Sequence, residues 1–235
     1  MDLEGKHVVV VGGSSGMGLA TAAMATRAGA RVTIASRSRA KLEAAEVRAG
    51  AAAIEVIDVT DDTSVSRGFA RIGPVDHVVV SAAEVKTGPL RKITVAEAQS
   101  GMNSKFWGAY RIAAVAQILP EGSLTLVSGA YGTRPAAGLI QAGFINAALE
   151  GLTRGLALEL APIRVNCVSP GLIDTPLWAG MPEERREALF SHVAGRLPVR
   201  RIGKSEDVAL QILSCMINPF MTGAVITLDG GSVLA

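Results

Sequence analysis

Three glycines near the start of the chain have the spacing of a phosphate-binding loop. Gly12, Gly16 and Gly18 stand in GGSSGMG as G-x3-G-x-G, after the apolar run HVVVV and before the helical text LATAAMATRAG. Glycine lets the backbone turn sharply and approach a phosphate, and a helix that begins here offers unpaired N–H groups with partial positive charge. A plain strand-to-helix turn would also use glycine, but this position after an apolar strand predicts a dinucleotide site.

The end of the second apolar run indicates which dinucleotide. ASRSR places Arg37 and Arg39 there without an acid. An Asp or Glu at this point is typical for a free ribose 2′-hydroxyl, whereas a 2′-phosphate needs a cation. NADP is therefore predicted over NAD, although the arginines could also be a solvated strand end.

Asp58, in VIDVTD at the end of the third apolar run, could accept a hydrogen bond from the adenine amino group. Alternatively, it could cap the next helix together with Asp61 and Asp62.

Seven apolar runs predict the strands that position these residues. They alternate with Ala-rich helical text and are HVVVVGG, GARVTIASR, AAAIEVIDVT, VDHVVVSAA, GSLTLVSG, PIRVNCVSPG and GAVITLDGG. Runs without in/out alternation are typical of strands covered on both faces. The pattern predicts the α/β class, with residues 1–235 as a single Rossmann-type doubly wound domain and a seven-stranded parallel sheet flanked by helices.

Composition excludes several other classes. Hydrophobic residues make up 49%, and 23 basic residues against 21 acidic ones leave no strip of charge for a nucleic acid or membrane surface. Cys167 and Cys215 form no CxxC and have no neighbouring His, so we expect buried thiols and no metal site. The start MDLEGKHVVVVGG lacks a basic leader, and no run approaches the ~20 apolar residues of a membrane span. We expect a cytoplasmic protein with a small-molecule substrate.

From end to end the sequence resembles the short-chain dehydrogenase/reductase family. The glycine loop, IDVTD, PIRVNCVSPGLIDT, LPVRRIGKSEDVA and TGAVITLDGG match the family in order and spacing. The resemblance implies an NADP site with two groups of contacts. Those at the adenosine end are Gly12, Ser14, Ser15, Gly16, Met17, Gly18, Arg37, Asp58 and Val59, and those along the nicotinamide and its phosphates are Pro170, Gly171, Ile173 and Thr175.

The resemblance also shows which chemical groups to expect. The family uses an Asn, a Ser, and a Tyr and Lys four residues apart on one helix. Asn103, in GMNSKFWGAY, matches the Asn, and the Ser falls on Ser128 or Gly129, depending on the register. Aligning AALEGLTRGLALELAPIRVN puts Ala142 at the Tyr position and Asn146 at the Lys position. The resemblance therefore implies a divergent member that lacks this pair, with Asn146 left to hydrogen-bond the nicotinamide ribose.

Another proton donor is then needed near the substrate. Tyr131 stands three residues after Ser128 in SGAYGTRP, at the carboxyl end of the fifth predicted strand, where this fold places its active site. An ordinary loop residue would look the same. Tyr110, in an apolar helical stretch, is expected in the core. Lys105, two positions after Asn103, is expected on another helix face.

Residues 171–204 contain a short charged helix, PEERREALFSHVAG, and are expected to cover a ligand crevice. His192 could approach a substrate there, or be a solvated surface side chain.

Two tryptophans fall near the predicted crevice. Trp107 and Trp178 could line an apolar substrate pocket, and Trp107 could instead be buried between subunits. In the family, the helices equivalent to residues 92–117 and 140–160 pair between subunits. We therefore expect a homodimer or homotetramer.

Together these features favour an NADP(H)-dependent oxidoreductase that acts on the carbonyl or hydroxyl group of a small molecule, with the proton from Tyr131, Ser128 or water. The alternative is a non-redox enzyme or an NADP(H)-binding regulatory protein on the same scaffold, which the missing Tyr and Lys favour. Halide or epoxide chemistry has less support. Removing a general acid costs about 10²- to 10⁴-fold in rate and need not abolish turnover.

Overall fold

The computed structural model describes residues 2–235. The strands are β1 (His7–Val11), β2 (Arg31–Ser36), β3 (Ala53–Val56), β4 (Val75–Val80), β5 (Ile118–Val127), β6 (Arg164–Pro170), β7 (Ile173–Asp174), β8 (Gly203–Lys204) and β9 (Val225–Leu228). The α-helices are α1 (Gly16–Arg27), α2 (Arg39–Ala49), α3 (Asp62–Ile72), α4 (Val95–Met102), α5 (Gly108–Val115), α6 (Ile140–Glu159), α7 (Glu183–Arg196) and α8 (Ser205–Ile217). A π-helical turn (Asn103–Trp107) joins α4 to α5, and a 3-10 turn (Ala130–Gly132) follows β5.

In residues 2–235, seven strands form one parallel sheet in the order β3-β2-β1-β4-β5-β6-β9. This confirms the predicted α/β fold and the seven predicted strands. The strand order reverses between β1 and β4, and in such sheets ligands bind at the carboxyl ends of the strands beside this reversal. The glycine loop that follows β1 lies at this point.

The sheet is covered on both faces, as the unbroken apolar runs predict. Val8 and Val10 of β1 pack into one buried cluster with side chains of α1, α2 and α8. Val9 and Val11 pack into a second cluster with side chains of α3, α5 and α6. Successive residues of a strand point to opposite faces, so a strand between two helical layers is apolar at every position.

The segment between β6 and α8 is fastened by a small feature that the sequence did not predict. β7 pairs with β8 through Ile173–Gly203 and Asp174–Lys204. This pairing holds the two ends of the segment that carries α7 beside each other.

Within residues 2–235, no helix has both the length and the apolar character needed to cross a membrane. In the same part of the chain, no group of three or more His, Cys, Asp or Glu side chains is placed to hold a metal ion. Cys167 and Cys215 are both buried free thiols.

His77, in β4, is expected to make the fold sensitive to acid. Its ring is buried, its Nδ1 lies 2.9 Å from Ser123 Oγ, and burial lowers its pKa from 6.5 to about 4. Below pH 6.5 the unfolded chain binds a proton here, whereas the folded chain does not until about pH 4. The free energy of unfolding should therefore fall across this window, by up to roughly 3 kcal/mol at about 1.4 kcal/mol per pKa unit.

Urea denaturation of the wild type and His77→Gln at several pH values tests this prediction. The variant should lose less stability on acidification. Equal losses in the two proteins would contradict it.

Candidate active site

The glycine run after β1 forms a tight backbone cradle. Gly12 has a φ of +90° and Gly16 a φ of +52°, left-handed values that glycine adopts at little cost. A Cβ on Gly12 would lie 2.6 Å from the backbone nitrogen of Ala82, and one on Gly18 would lie 2.2 Å from the carbonyl oxygen of Gly12. Backbone packing therefore requires glycine at positions 12 and 18.

The cradle leads into the first turn of α1, which can receive an anion. Ser15, the residue before the helix, is extended, and within the described residues its side chain accepts no hydrogen bond from the first turn. That turn carries no acidic residue. On the other side, Thr175 carbon atoms lie 3.5 Å from where a Cβ on Gly16 would stand. Uncapped N–H groups at the positive end of a helix dipole suit a pyrophosphate.

The residues predicted for the adenosine end lie at the same edge of the sheet. Arg37 directly follows β2, and its guanidinium forms an ion pair with Glu84, with 2.6 Å between Nη2 and Oε2. Hydrogen bonds from the backbone and side chain of Thr60, at 2.9 and 2.7 Å, hold the pKa of Asp58 below its ordinary value. Asp61 is the residue that caps α3. Of the two interpretations of Asp58, the helix cap is thus wrong.

The residues predicted for the nicotinamide side lie at and after the carboxyl end of β6. Gly171 packs so closely that a Cβ on it would lie 2.8 Å from Asp229 Cα. Ile173 is buried. Of the positions predicted for the adenosine end, Val59 is buried and Met17 packs against the core.

At the end of β5 the chain enters a buried polar network. Ser128 is 5% exposed, and its hydroxyl donates to Glu150 Oε1 at 3.0 Å. Ser169 donates to the same oxygen at 3.2 Å. A Cβ on Gly129 would lie 2.8 Å from Asn146 Nδ2. The Ser128 hydroxyl therefore faces Glu150, and position 129 faces Asn146.

Lys105 reaches this network from the other side. Its Nζ donates to the Ser128 carbonyl at 2.8 Å and to Asn146 Oδ1 at 2.6 Å, and burial lowers its pKa from 10.5 to about 8. The prediction that Lys105 lies on another helix face was wrong. Lys105 stands in the π-helical turn that begins at Asn103, and the wider turn changes which side chains face inward.

Tyr131 lies beside a cleft of about 430 Å³ between the 3-10 turn after β5, the loop after β6, and α7. The phenol is 38% exposed, and burial raises its pKa. The lining is mostly apolar and includes Leu139, Leu172, Trp178, Leu189 and His192. An apolar cleft with few polar groups is typical of a small-molecule site.

The aromatic side chains divide between this cleft and the outer surface. Trp178 lines the cleft, and its indole Nε1 donates to the Ile173 carbonyl at 2.9 Å. Trp107 and Tyr110 are each 47% exposed and pack edge to face in a separate surface groove. The expectation that Tyr110 lies in the core was wrong, because it occupies the outer face of α5.

Known proteins resemble this chain over nearly its whole length. Residues 11–232 match the family model described as enoyl-(acyl carrier protein) reductase. The short-chain dehydrogenase/reductase ATR9 of Stachybotrys chlorohalonatus is 32% identical over an alignment of 250 positions. The alignment covers 99% of this chain and 98% of that protein. The 3-oxoacyl-(acyl-carrier-protein) reductase FabG of Thermotoga maritima is 31% identical, with 100% of both chains covered.

Solved structures show the same likeness in three dimensions. A small-chain dehydrogenase in complex with NADPH superimposes with a TM-score of 0.87 at 35% identity, covering 98% of this chain and 99% of that one. The MalC reductase/Diels-Alderase of Malbranchea aurantiaca gives 0.92 at 28% identity, covering 99% and 98%. Since the matches in sequence and in structure both span the whole chain, this protein belongs to the short-chain dehydrogenase/reductase family of oxidoreductases.

Proposed function

We propose that the protein is an NADP(H)-dependent oxidoreductase that acts on the carbonyl or hydroxyl group of a small molecule, with a proton donor other than the family's usual tyrosine. One observation carries the proposal. The segment from Leu172 to Trp178, which follows β6, passes beside the glycine cradle at Thr175, whose carbon atoms lie 3.5 Å from where a Cβ on Gly16 would stand. The same segment lines the cleft beside Tyr131 through Leu172 and Trp178. A dinucleotide on the cradle and a substrate in the cleft would therefore meet.

The cradle fits the nucleotide for two reasons. Glycine at positions 12 and 18 lets the backbone segments pack closely, and the N–H groups of the first turn of α1 have no side-chain cap and can bind a phosphate. The residues that would hold it are Gly12, Ser14, Ser15, Gly16, Met17, Gly18, Arg37, Asp58, Val59, Asn146, Pro170, Gly171, Ile173 and Thr175. The NADPH-bound relative supports this assignment. Reduced nicotinamide supplies a hydride, and the chain must supply the proton and the orientation.

Tyr131 is the proposed proton donor. Its phenol is partly exposed to the cleft, and its raised pKa keeps it protonated at neutral pH. A protonated phenol can donate to a substrate oxygen that becomes negatively charged during reduction. At neutral pH the phenol is thus in the form that reduction of a carbonyl requires, whereas the reverse oxidation would require the phenolate.

Lys105 is proposed as a positioning residue for the nicotinamide end. By the family resemblance, Ala142 and Asn146 stand where Tyr and Lys are expected. The Lys105 amine lies 2.6 Å from Asn146 Oδ1 and so brings a cation to the place from which the family's lysine is missing. It fixes the Asn146 amide, whose nitrogen remains directed toward position 129.

Ser128 is proposed to act through the buried network. Its hydroxyl donates to Glu150 and its carbonyl accepts from Lys105. These two bonds fix the end of β5 from which the turn carrying Tyr131 begins. Asn103 begins the π-helical turn that delivers Lys105 and is proposed to support the same arrangement. Between Ser128 and Tyr131, the second is the better placed donor.

A change at Lys105 should alter both turnover and its pH dependence. Lys105→Met leaves the Ser128 carbonyl and Asn146 Oδ1 without their donor, which lowers the free energy of unfolding by about 1–3 kcal/mol per lost partner. It also releases the Asn146 amide, so kcat/KM should fall about 10-fold, equivalent to about 1.4 kcal/mol of lost transition-state stabilisation. In the wild type, NADPH affinity should weaken as the pH rises through about 8, where Lys105 loses its charge.

The measurements are kcat/KM and the NADPH dissociation constant from about pH 7 to pH 9.5 for both proteins. Lys105→Met should show a flat profile, and Lys105→Arg should restore part of the affinity. Lys86→Met, which removes an exposed lysine paired with Glu97, is the control and should behave as the wild type does. An unchanged alkaline decline in Lys105→Met would refute the role of this amine.

Fluorescence titration of the protein with NADPH tests the proposed function. Saturable binding, tighter than that of NADH, is expected. Turnover is then followed by NADPH absorbance against a panel of aldehydes and ketones. No detectable binding at millimolar NADPH would overturn the proposal.

A second function is a non-redox enzyme or an NADP(H)-binding regulatory protein on the same scaffold. The assignment of Ala142 and Asn146 to the family's Tyr and Lys positions favours it. The name of the MalC relative also pairs a reductase with a Diels-Alderase. Binding of NADPH without consumption by any carbonyl of the panel would favour this second function.

We also propose that the protein is a homodimer or homotetramer that pairs through α4, α5 and α6. These helices and the π-helical turn between α4 and α5 carry exposed apolar side chains, among them Val95, Trp107, Phe144 and Leu158. Sedimentation equilibrium tests the assembly, and a monomer at micromolar concentration would contradict it.

Residues 171–204 are proposed as a lid, since α7 contributes Leu189 and His192 to the cleft.

A further inference from the structure

An ion pair spans the carboxyl edge of the sheet directly above the glycine loop. Arg37 follows β2 and Glu84 follows β4, while β1 lies between these two strands. Adjacent strands are about 4.8 Å apart, so the pair bridges about 10 Å over the end of β1. The glycine loop begins at this end, with Gly12 packed against Ala82.

The backbone of Glu84 is held by the π-helical turn between α4 and α5. Its backbone N–H donates to Ser104 Oγ at 2.9 Å, and Ser104 is a buried residue of the π-helical turn. The carboxylate therefore projects from an anchored backbone. Side chains of Arg37 and Glu84 are 64% and 67% exposed, so both remain accessible to a ligand.

We infer that Glu84 competes with the nucleotide 2′-phosphate for Arg37 and thereby limits the preference for NADPH over NADH. This inference rests on the proposed function. The carboxylate Oε2 lies 2.6 Å from Arg37 Nη2 and so engages a guanidinium donor that a phosphate would also use. An exposed ion pair is weak enough for a dianionic phosphate to displace.

Loss of the Glu84 charge should have a selective effect. Glu84→Gln frees Arg37 and removes a negative charge beside the incoming phosphate, so the dissociation constant of NADPH should fall about three- to fivefold. NADH has no 2′-phosphate, and its dissociation constant should stay within about twofold. The difference should shrink at high salt, where exposed charges are screened.

The experiment titrates the wild type and Glu84→Gln with NADPH and NADH, and then displaces NADPH with 2′,5′-ADP and 5′-AMP. The two adenosine nucleotides report the adenosine end without the nicotinamide. Glu55→Gln is the matched control, because it removes the same charge from another arginine pair, Arg71–Glu55 at 2.5 Å. In an Arg37→Gln background, Glu84→Gln should lose its effect on NADPH.

Each outcome separates this inference from the proposed function. Tighter NADPH and 2′,5′-ADP binding by Glu84→Gln, with NADH and 5′-AMP unchanged, supports it. Suppose that the wild type binds NADPH and that Glu84→Gln has the same ratio of NADH to NADPH dissociation constants as the wild type. That result overturns the inference alone. Wild type that binds neither dinucleotide overturns both. Thermal melts of all variants show whether the fold is kept.

Discussion

Replacing Tyr131 with Phe should lower kcat/KM for carbonyl reduction by about 10²- to 10⁴-fold, the usual loss when a general acid is removed. Phenylalanine keeps the ring that lines the cleft and removes only the hydroxyl. NADPH affinity should therefore remain close to that of the wild type. The measurement is NADPH consumption at saturating cofactor, with any aldehyde or ketone that the wild type reduces.

The chain offers a matched control for this substitution. It contains two tyrosines, and the second, Tyr110, lies in a separate groove on the outer face of α5. Tyr110→Phe makes the same chemical change away from the cleft and should leave turnover unaltered. If Tyr131→Phe reduced its substrate as fast as Tyr110→Phe does, Tyr131 would not be the donor.

The pH profile adds a second readout for Tyr131. Burial raises the pKa of this phenol above 10.0, so it stays protonated across the range in which Lys105, with a pKa of about 8, loses its charge. Activity should decline as the pH rises through about 8, where Lys105 loses its charge. If the residual activity of Tyr131→Phe shows the same decline, the decline belongs to Lys105. A decline that disappears with the phenol would contradict this assignment.

Gly18→Ala should weaken NADPH binding at least 100-fold. The added Cβ would stand 2.2 Å from the carbonyl oxygen of Gly12 and 2.8 Å from its carbonyl carbon. Both are backbone atoms, so the loop itself must move, and the cradle loses its shape at the helix end that would hold the pyrophosphate. Fluorescence titration with NADPH measures the loss.

A second Gly→Ala change controls for the substitution itself. Gly195 lies in α7, and a Cβ on it would meet nothing within 4 Å. Gly195→Ala should bind NADPH as the wild type does. Thermal unfolding shows whether Gly18→Ala remains folded, and a folded Gly18→Ala with wild-type affinity would show that the cradle is not the nucleotide site.

Much of the fold could be predicted because its signals are local. A strand between two helical layers must be apolar on both faces, so β1 is read directly from HVVVV. Gly12 and Gly18 stand where backbone atoms leave no room for a side chain, so their spacing marks the cradle. The pattern of seven strands and intervening helices then leaves few possible topologies.

The side-chain network of the site was harder to predict. The wrong placement of Lys105 followed from regular α-helical geometry, whereas the residue lies in a π-helical turn. Tyr110 was placed in the core because its neighbours are apolar, yet this face of α5 points outward. A polar residue within an apolar helix, such as Glu150, was a signal that could have revealed more of the network.

The sequence by itself determined the fold, the position of the glycine cradle and the basic residue that follows β2. These depend on the backbone needs of glycine and on the burial of whole segments, which are visible over a few neighbouring residues. Only the tertiary structure decided the partners of Lys105, Ser128 and Glu84. Their contacts join residues far apart in the chain, such as Lys105 and Asn146, 41 positions apart. Such contacts depend on how the helices pack on the sheet, and residue spacing does not encode that packing.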